Sequence, residues 1–203
     1  KRVRIIAPFV EDEKAKMENV EKIVVEVQKE LGKKKLWGKK VLIGNGATYS
    51  KIDPMRIITN LSSGKTGREI AKNAIINGAE VLIIDGTEQG KFSASIMKEL
   101  GNGYDYFILP AAINDFQTQE SKNKIGSGKQ LQLSLTPTKK LLGEIRDKFP
   151  KLKIIGFKAE TNKSKKELET IAKDFLKKNK LQIVVVNDIA KNPPGKDSSE
   201  MLI

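Results

Sequence analysis

The sequence contains no cysteine and no histidine. Those two absences remove disulfides, thiolate nucleophiles, the usual zinc sites, Ser-His-Asp chemistry and any imidazole acid or base. Apolar runs are short. Ile183 to Val186 and Val81 to Ile84 are typical, far below the roughly 20 residues that a membrane-spanning helix needs, so the reading is a soluble protein with no membrane partner. Aromatic residues make up 5% of the chain and no RNP-like, KH-like or zinc-finger pattern occurs, which argues against a nucleic-acid partner. No charged-then-apolar leader is present, and the chain begins at Lys1 rather than Met. The expectation is a fragment of a cytoplasmic protein.

What is present is charge. The 203 residues are 38% hydrophobic and 31% charged, which suits one globular domain with a real core, or one domain plus an arm. The 38 basic residues outnumber the 25 acidic ones, for a net charge of +13, and such a surplus points to a polyanionic partner. The runs Lys33 to Lys35 and Lys163 to Lys166 read as solvated surface. Any chemistry must rest on Lys, Arg, Asp, Glu, amides, hydroxyls, backbone N–H groups and a hard cation.

Residues 1–38 form an arm and linker distinct from the rest. Val20, Ile23, Val24, Val27 and Leu31 recur at helical spacing, predicting an amphipathic helix over about 19–31 that ends at Gly32. From residue 39 onward, short apolar runs alternate with helical patterns. Strands are expected at Val41 to Ile43, Val81 to Ile84, Tyr106 to Leu109, Lys153 to Phe157 and Ile183 to Val186. Helices are expected over about 64–77, near Ser95 to Leu100, over Leu141 to Phe149 and around Leu168 to Leu176. The alternation of Leu131, Leu133 and Leu135 suggests a further, half-exposed strand over 130–135. This order predicts an α/β fold of the Rossmann-like class, a mostly parallel sheet with helices on both faces, plus the N-terminal helical arm. Ligands of such folds lie at the carboxyl ends of the strands.

Three segments there carry candidate chemistry. Gly44-Asn45-Gly46-Ala47-Thr48 follows a strand and either brings backbone N–H groups near a phosphate or makes a tight turn. The dinucleotide fingerprint fails, because Tyr49 occupies the third glycine position and Asp85 lies too far along. Ser62-Ser63-Gly64-Lys65-Thr66-Gly67 contains a Gly-Lys-Thr, but Thr59 stands where a P-loop requires its first glycine. Either serine serves as a helix cap, a role compatible with phosphate binding. Pro110-Ala111-Ala112-Ile113-Asn114-Asp115 follows the third strand, offering small residues and a carboxylate suited to a ribose or to a loop cap. The polar, glycine-broken stretch from Gln117 to Lys129 reads as a mobile loop that closes over phosphates with Lys124.

In order, these pieces resemble a known family. Asp53 to Gly67, "DPMRIITNLSSGKTG", is similar to the "IDPVRxISNxSSGxMG" signature of phosphopantothenate–cysteine ligase. Ala111 to Asp115 resembles that family's "AAVAD", Lys122 to Ile125 its "EKIK", Ile155 to Thr161 its "VGFAAET" and Val184 to Asp188 its "IVAND". Gly195-Lys196-Asp197-Ser198 stands where the family has "FxSDxN". The likeness spans about residues 38–203, and residues 1–32 resemble the tail of the flavin-dependent decarboxylase often fused ahead of the ligase.

The resemblance implies CTP-dependent coupling of 4'-phosphopantothenate to cysteine through an acyl-cytidylate, with release of CMP and pyrophosphate. Neither step needs a covalent enzyme nucleophile, in keeping with the missing Cys and His. It also implies CTP and Mg²⁺ as co-substrate and cation, the metal held by phosphates and water with no protein ligand assigned, and a homodimer. Carried over by position, Asn60 and Lys124 are the catalytic choices. Arg56 and Asn60 would bind the acid substrate, although a structural ion pair is an equally open reading for Arg56. Nucleotide contacts fall on Gly44, Gly46, Ser62, Ser63, Leu109, Pro110, Ala111, Asp115, Lys124, Thr136, Pro137 and Phe157. The competing classes are a non-catalytic nucleotide or nucleic-acid binding module and an NADPH-dependent reductase.

Overall fold

The structure, a computed structural model, describes residues 5–193 and 201–203. The arm opens with a hairpin of β1 (Phe9–Glu11) and β2 (Lys14–Lys16). Asp12 and Glu13 turn it with φ of 50° and 61°, the two positive values that a two-residue hairpin loop demands. Helix α1 (Val20–Leu31) follows, close to the predicted span. It is capped by Asn19, whose side chain accepts from the Glu21 and Lys22 amides, and it packs on α2 without burying any residue completely.

The domain then runs β3 (Lys40–Asn45), β4 (Tyr49–Asp53), β5 (Arg56–Thr59), α2 (Lys65–Ile76), β6 (Glu80–Asp85), α3 (Gln89–Leu100), β7 (Tyr106–Leu109) and β8 (Phe116–Gln117). It continues with β9 (Thr136–Pro137), α4 (Leu141–Lys148), β10 (Lys153–Glu160), α5 (Lys165–Asn179) and β11 (Ile183–Asp188). Five strands pair in parallel in the order β11-β10-β7-β3-β6, the α/β class predicted. Right-handed crossovers then dictate where the helices go. The step from β3 to its outer neighbour β6 puts α2 on one face, with Ala71 and Ala74 against Val41 and Ile43. The three steps in the other direction put α3, α4 and α5 on the opposite face. There Phe92, Ile96, Leu141, Ile145 and Leu168 close over Leu42, Phe107, Ile154, Val184 and Val186.

Two departures from the sequence reading matter. The β4–β5 hairpin has no counterpart in it, because two of the three residues that the hairpin strands bury are polar: Ser50 and Asp53 are buried beside Ile52. The strand expected over 130–135 does not form. Leu131, Leu133 and Leu135 are all exposed, and only the two-residue β9 beyond them pairs, antiparallel, with β8. Alternation specifies a strand only where a neighbour supplies a ladder and a covered face.

Candidate active site

The carboxyl ends of β3, β6 and β7 each release a loop, and backbone hydrogen bonds tie the three together. The Ala111 amide donates to the Gly44 carbonyl (3.1 Å) and the Ala112 amide to that of Gly46 (2.8 Å), while the Thr48 amide returns a bond to Ala112 (3.2 Å). The Tyr49 amide reaches Thr87 beyond β6 (3.1 Å). Gly86 is required there, since a Cβ on it would meet the Ala47 backbone, 2.5 Å from the carbonyl carbon. Gly46 takes the left-handed conformation at φ 74°. Gly44 has a different reason: a side chain would strike Leu109 and Phe92 at 2.7 and 3.1 Å, so its smallness serves helix packing.

The β4–β5 hairpin inserts between β3 and α2 and carries the signature motif onto this edge. Asn60, just past β5, lies at the loop after β7, where its Nδ2 donates to the Ile113 carbonyl at 2.9 Å. The other N–H of that amide and its side-chain oxygen have no partner among the described residues. Buried Thr48 and Asn114 hold the two loops in register. Thr48 Oγ1 accepts from the Asn114 amide (2.7 Å) and donates to Gln89 Oε1 (2.7 Å), and Asn114 Nδ2 donates to the Phe116 and Ile58 carbonyls (2.6 and 3.3 Å).

Of the expected nucleotide residues, Leu109 is in the core, and Pro110 and Ala111 lead away from it, half-buried. Phe157 is one residue beyond the β10–β7 pair Gly156–Leu109, on the sheet face opposite the α5 side that Gly156 contacts through Leu181 and Phe175. Asp115 is exposed and ion-paired with Lys140 at 2.5 Å, while its carbonyl accepts from the Thr138 amide. Thr136 and Pro137 form β9 and are exposed. Ser62 and Ser63 do not serve as the N-cap. That place is taken by Gly64 at φ 70° with no side-chain cap, and the serine hydroxyls reach only the Gly64 and Lys65 amides at 3.4 Å. The segment 195–198 lies outside the described residues.

Arg56 is committed to a pair. Its Nη1 donates to Asp53 Oδ2 at 2.6 Å and to the Ile125 carbonyl at 3.0 Å. The Asp53 carboxyl is held below the usual carboxylate range by the Ile125 amide first, then by the Met55 and Arg56 amides and the Arg56 charge, against the opposing effect of burial. Lys124, beside Ile125, is exposed and makes no ion pair among the described residues. The structure thus brings Gly44 and Gly46 onto the backbone of Ala111 and Ala112, and Asn60 onto the same loop through Ile113. Arg56 and the Lys124 loop sit together at the turn end of the hairpin, whose other end leads to Asn60. The Ser62 and Ser63 hydroxyls bond only to the Gly64 and Lys65 amides among the described residues. Thr48, Asn114 and Asp53 lie inside the segments singled out in the sequence but receive no role there, and Thr138 is not named there at all; burial is what marks the four.

The family described as "DNA/pantothenate metabolism flavoprotein C-terminal domain" matches residues 36–203. The chain is 37% identical over 216 residues to the coenzyme A biosynthesis bifunctional protein CoaBC of Methanocaldococcus jannaschii, covering 100% of this chain and 54% of the relative. It spans about half the length of the curated relatives it matches. The solved C-terminal domain of a CoaBC superposes with a TM-score of 0.64 at 26% identity, covering 82% of this chain and 86% of that one. A Cab2 variant in complex with phosphopantothenate-cysteine superposes at 0.60 and 19% identity, over 84% of this chain and 80% of that one, a likeness of fold. With that profile match, and with the signature motif folded onto the sheet edge, the chain belongs to the DNA/pantothenate metabolism flavoprotein C-terminal domain family.

Proposed function

We propose that this chain joins 4'-phosphopantothenate to cysteine in coenzyme A biosynthesis, using CTP to form an acyl-cytidylate that the cysteine amine then resolves. The observation that carries the reading is the place of Asn60, an amide with unspent hydrogen-bonding capacity fixed at the loop after β7. An amide N–H aimed at an acyl oxygen stabilises the negative charge that grows there during attack, and it costs no reorganisation when already held in place. Attack by the acid's carboxylate on the α-phosphorus expels pyrophosphate, and attack by the amine on the acyl carbon expels CMP. Both steps then depend on positioning and charge rather than on a protein nucleophile.

The groups on this edge suit those tasks. Backbone amides and a glycine turn surround the loop after β3, α2 begins there without a side-chain cap, and the exposed Lys124 supplies a mobile charge. Phe157 and the segment Leu109 to Ala111 would hold the base, with Asp115 close to the ribose. A divalent cation such as Mg²⁺ would enter with the triphosphate. The nearby carboxylates are already engaged, Asp85 by Asn45 and Arg68 and Asp115 by Lys140, which suits a cation held by phosphate oxygens and water. Its contribution would be to neutralise phosphate charge. We read the working unit as a homodimer within a longer protein that also carries a decarboxylase domain.

The test is pyrophosphate release, which should require CTP and phosphopantothenate together, with an acyl-nucleotide accumulating when cysteine is omitted. Asn60→Asp should fold normally and lose phosphopantothenoylcysteine formation by about a hundredfold or more, as expected for loss of a donor to a developing oxyanion. Unimpaired turnover in that variant removes Asn60 from the mechanism, and NADPH binding or RNA binding without turnover would replace the assignment.

A further inference from the structure

The loop that carries Lys124 is gripped at both ends by two consecutive residues of β4. The Ser121 amide donates to the Ile52 carbonyl at 2.9 Å. Four residues on, the Ile125 amide donates to Asp53 Oδ2 at 3.1 Å, and the Ile125 carbonyl accepts from Arg56, itself bonded to the same Oδ2. Within the turn, Ser121 Oγ donates to the Asn123 carbonyl at 2.8 Å. The other oxygen of Asp53 is spent on its own hairpin, accepting from the Met55 and Arg56 amides at 2.8 Å each. The Asp53 side chain is fully buried, so it touches neither solvent nor a ligand on the open edge. One carboxylate thus shapes the turn of the signature hairpin with one oxygen and anchors the Lys124 loop with the other.

We infer that Asp53 is a positioning residue for Lys124: its buried carboxylate, directly and through Arg56, fixes the Ile125 backbone and with it the path of the neighbouring cation. This rests on Lys124 acting on the nucleotide as proposed above. A flexible lysine is useful at a leaving group only if its backbone root is fixed, because a displacement of about 1 Å can cost on the order of a hundredfold in rate. Burial gives the anchor its strength. A bond from an amide to an ionised, desolvated acceptor is stronger than one between neutral groups, and nothing but Arg56 and backbone amides competes for it.

The experiment is a double-variant cycle on the full chain, with single-turnover formation of the acyl-nucleotide from CTP and phosphopantothenate as readout. Asp53→Asn preserves shape but, with the amide oxygen kept on the Met55 and Arg56 amides, sets an NH2 group against both donors to Oδ2, the Arg56 guanidinium and the Ile125 amide. It should slow the step by about ten- to a hundredfold and speed tryptic cleavage after Lys124. In a Lys124→Ala background, Asp53→Asn should add no further loss in rate. An equal loss in both backgrounds would show that Asp53 acts independently of Lys124 and overturn the inference. If Lys124→Ala alone leaves the rate unchanged, the functional reading of Lys124 fails, and the anchor is still judged by the cleavage rate. Wild-type protein gives a check that needs no variant: the Ile125 amide should exchange with deuterium about tenfold or more slowly than those of Lys122 and Gly126, a factor in keeping with a bond to a charged acceptor. Equal exchange at the three sites would show that no such anchor exists in solution.

Discussion

The junction of β3 with the start of α2 offers a perturbation whose sign depends on one neighbour. Gly67 lies in the first turn of α2, and a Cβ there would fall on the Oδ1 of Asn45, 2.7 Å from its Cγ and 3.1 Å from its Cβ. Asn45 is 1% exposed, and its Nδ2 is bonded to Asp85 Oδ1 at 2.7 Å, so it has little room to retreat. Gly67→Ala therefore sets two effects against each other. Replacing glycine in a helix stabilises by up to about 1 kcal/mol, and forcing a methyl into a filled site costs about 1–3 kcal/mol. With contact to the Asn45 branch carbon already inside van der Waals distance, the upper end of that cost applies, for a net loss of about 2 kcal/mol.

Removing the obstacle reverses the sign. Asn45→Ala deletes the bond to Asp85, worth about 1 kcal/mol, but also deletes an oxygen that is buried without a partner among the described residues, so the single variant should be near neutral. In that background the methyl at Gly67 enters vacant space, and only the helix gain of about 1 kcal/mol remains. The coupling between the two sites is thus about 3 kcal/mol, well above the few tenths seen for independent positions. Thermal unfolding reads it. At about 2–4 °C per kcal/mol for a chain of this size, Gly67→Ala should lower Tm by about 4–8 °C alone and raise it by about 2–4 °C over Asn45→Ala. The same shift in both backgrounds would refute the close approach of α2 to β3 on which the uncapped helix start depends.

Thr48→Val should cost about 2 kcal/mol in urea unfolding, because it strands the Asn114 amide and the Gln89 carbonyl inside the loop cluster; a loss under half of that would mean water replaces the hydroxyl. Ser164→Ala removes a complete capping box with Glu167 and should cost about 1 kcal/mol with no effect on turnover. Asp188, 3% exposed, has its pKa lowered: burial pushes it up, but the Ala190, Asn162 and Lys163 amides outweigh that. With the folded pKa below the unfolded one, the unfolded chain binds the extra proton, so this stabilisation is complete above the unfolded pKa of about 3.9 and is lost as pH falls through the folded value. Asp188→Asn should therefore show a shallower decline of stability over that acid range than the wild type, and parallel curves would contradict the assignment.

The parallel sheet was legible because each of its strands is built on a short apolar run: Tyr106–Leu109 is placed to the residue. Helix α3 starts at Gln89 rather than near Ser95, since Phe92 is the only large apolar residue in its first turns and a period cannot be read from one point. The β4–β5 hairpin and the false strand over 130–135 are opposite failures of the same signal. In the hairpin, buried Ser50 and Asp53 replace apolar residues; in the other segment, three leucines alternate without a partner to cover them. At the site, the signature residues could be matched by resemblance, and Asn60 does meet the loop after β7 through Ile113. The ties that hold them, through Thr48, Asn114 and Asp53, are invisible in the sequence because a polar residue has no pattern that declares it buried.

That invisibility has a structural cause. A sheet satisfies its backbone groups with its own ladder, whereas loops meeting at a sheet edge must find partners for buried N–H and C=O groups elsewhere. Here the insertion of one hairpin between β3 and α2 supplies them. It brings Asn60 to the loop after β7, Thr59 Oγ1 to the Thr48 carbonyl (2.9 Å) and Asp53 to the Lys124 loop. The same few polar side chains therefore set both the stability of the loop cluster and the spacing between Asn60 and Lys124. A substitution that loosens one must shift the other, so changes to this network should lower turnover before they unfold the sheet, whose buried core residues take part in none of these side-chain bonds.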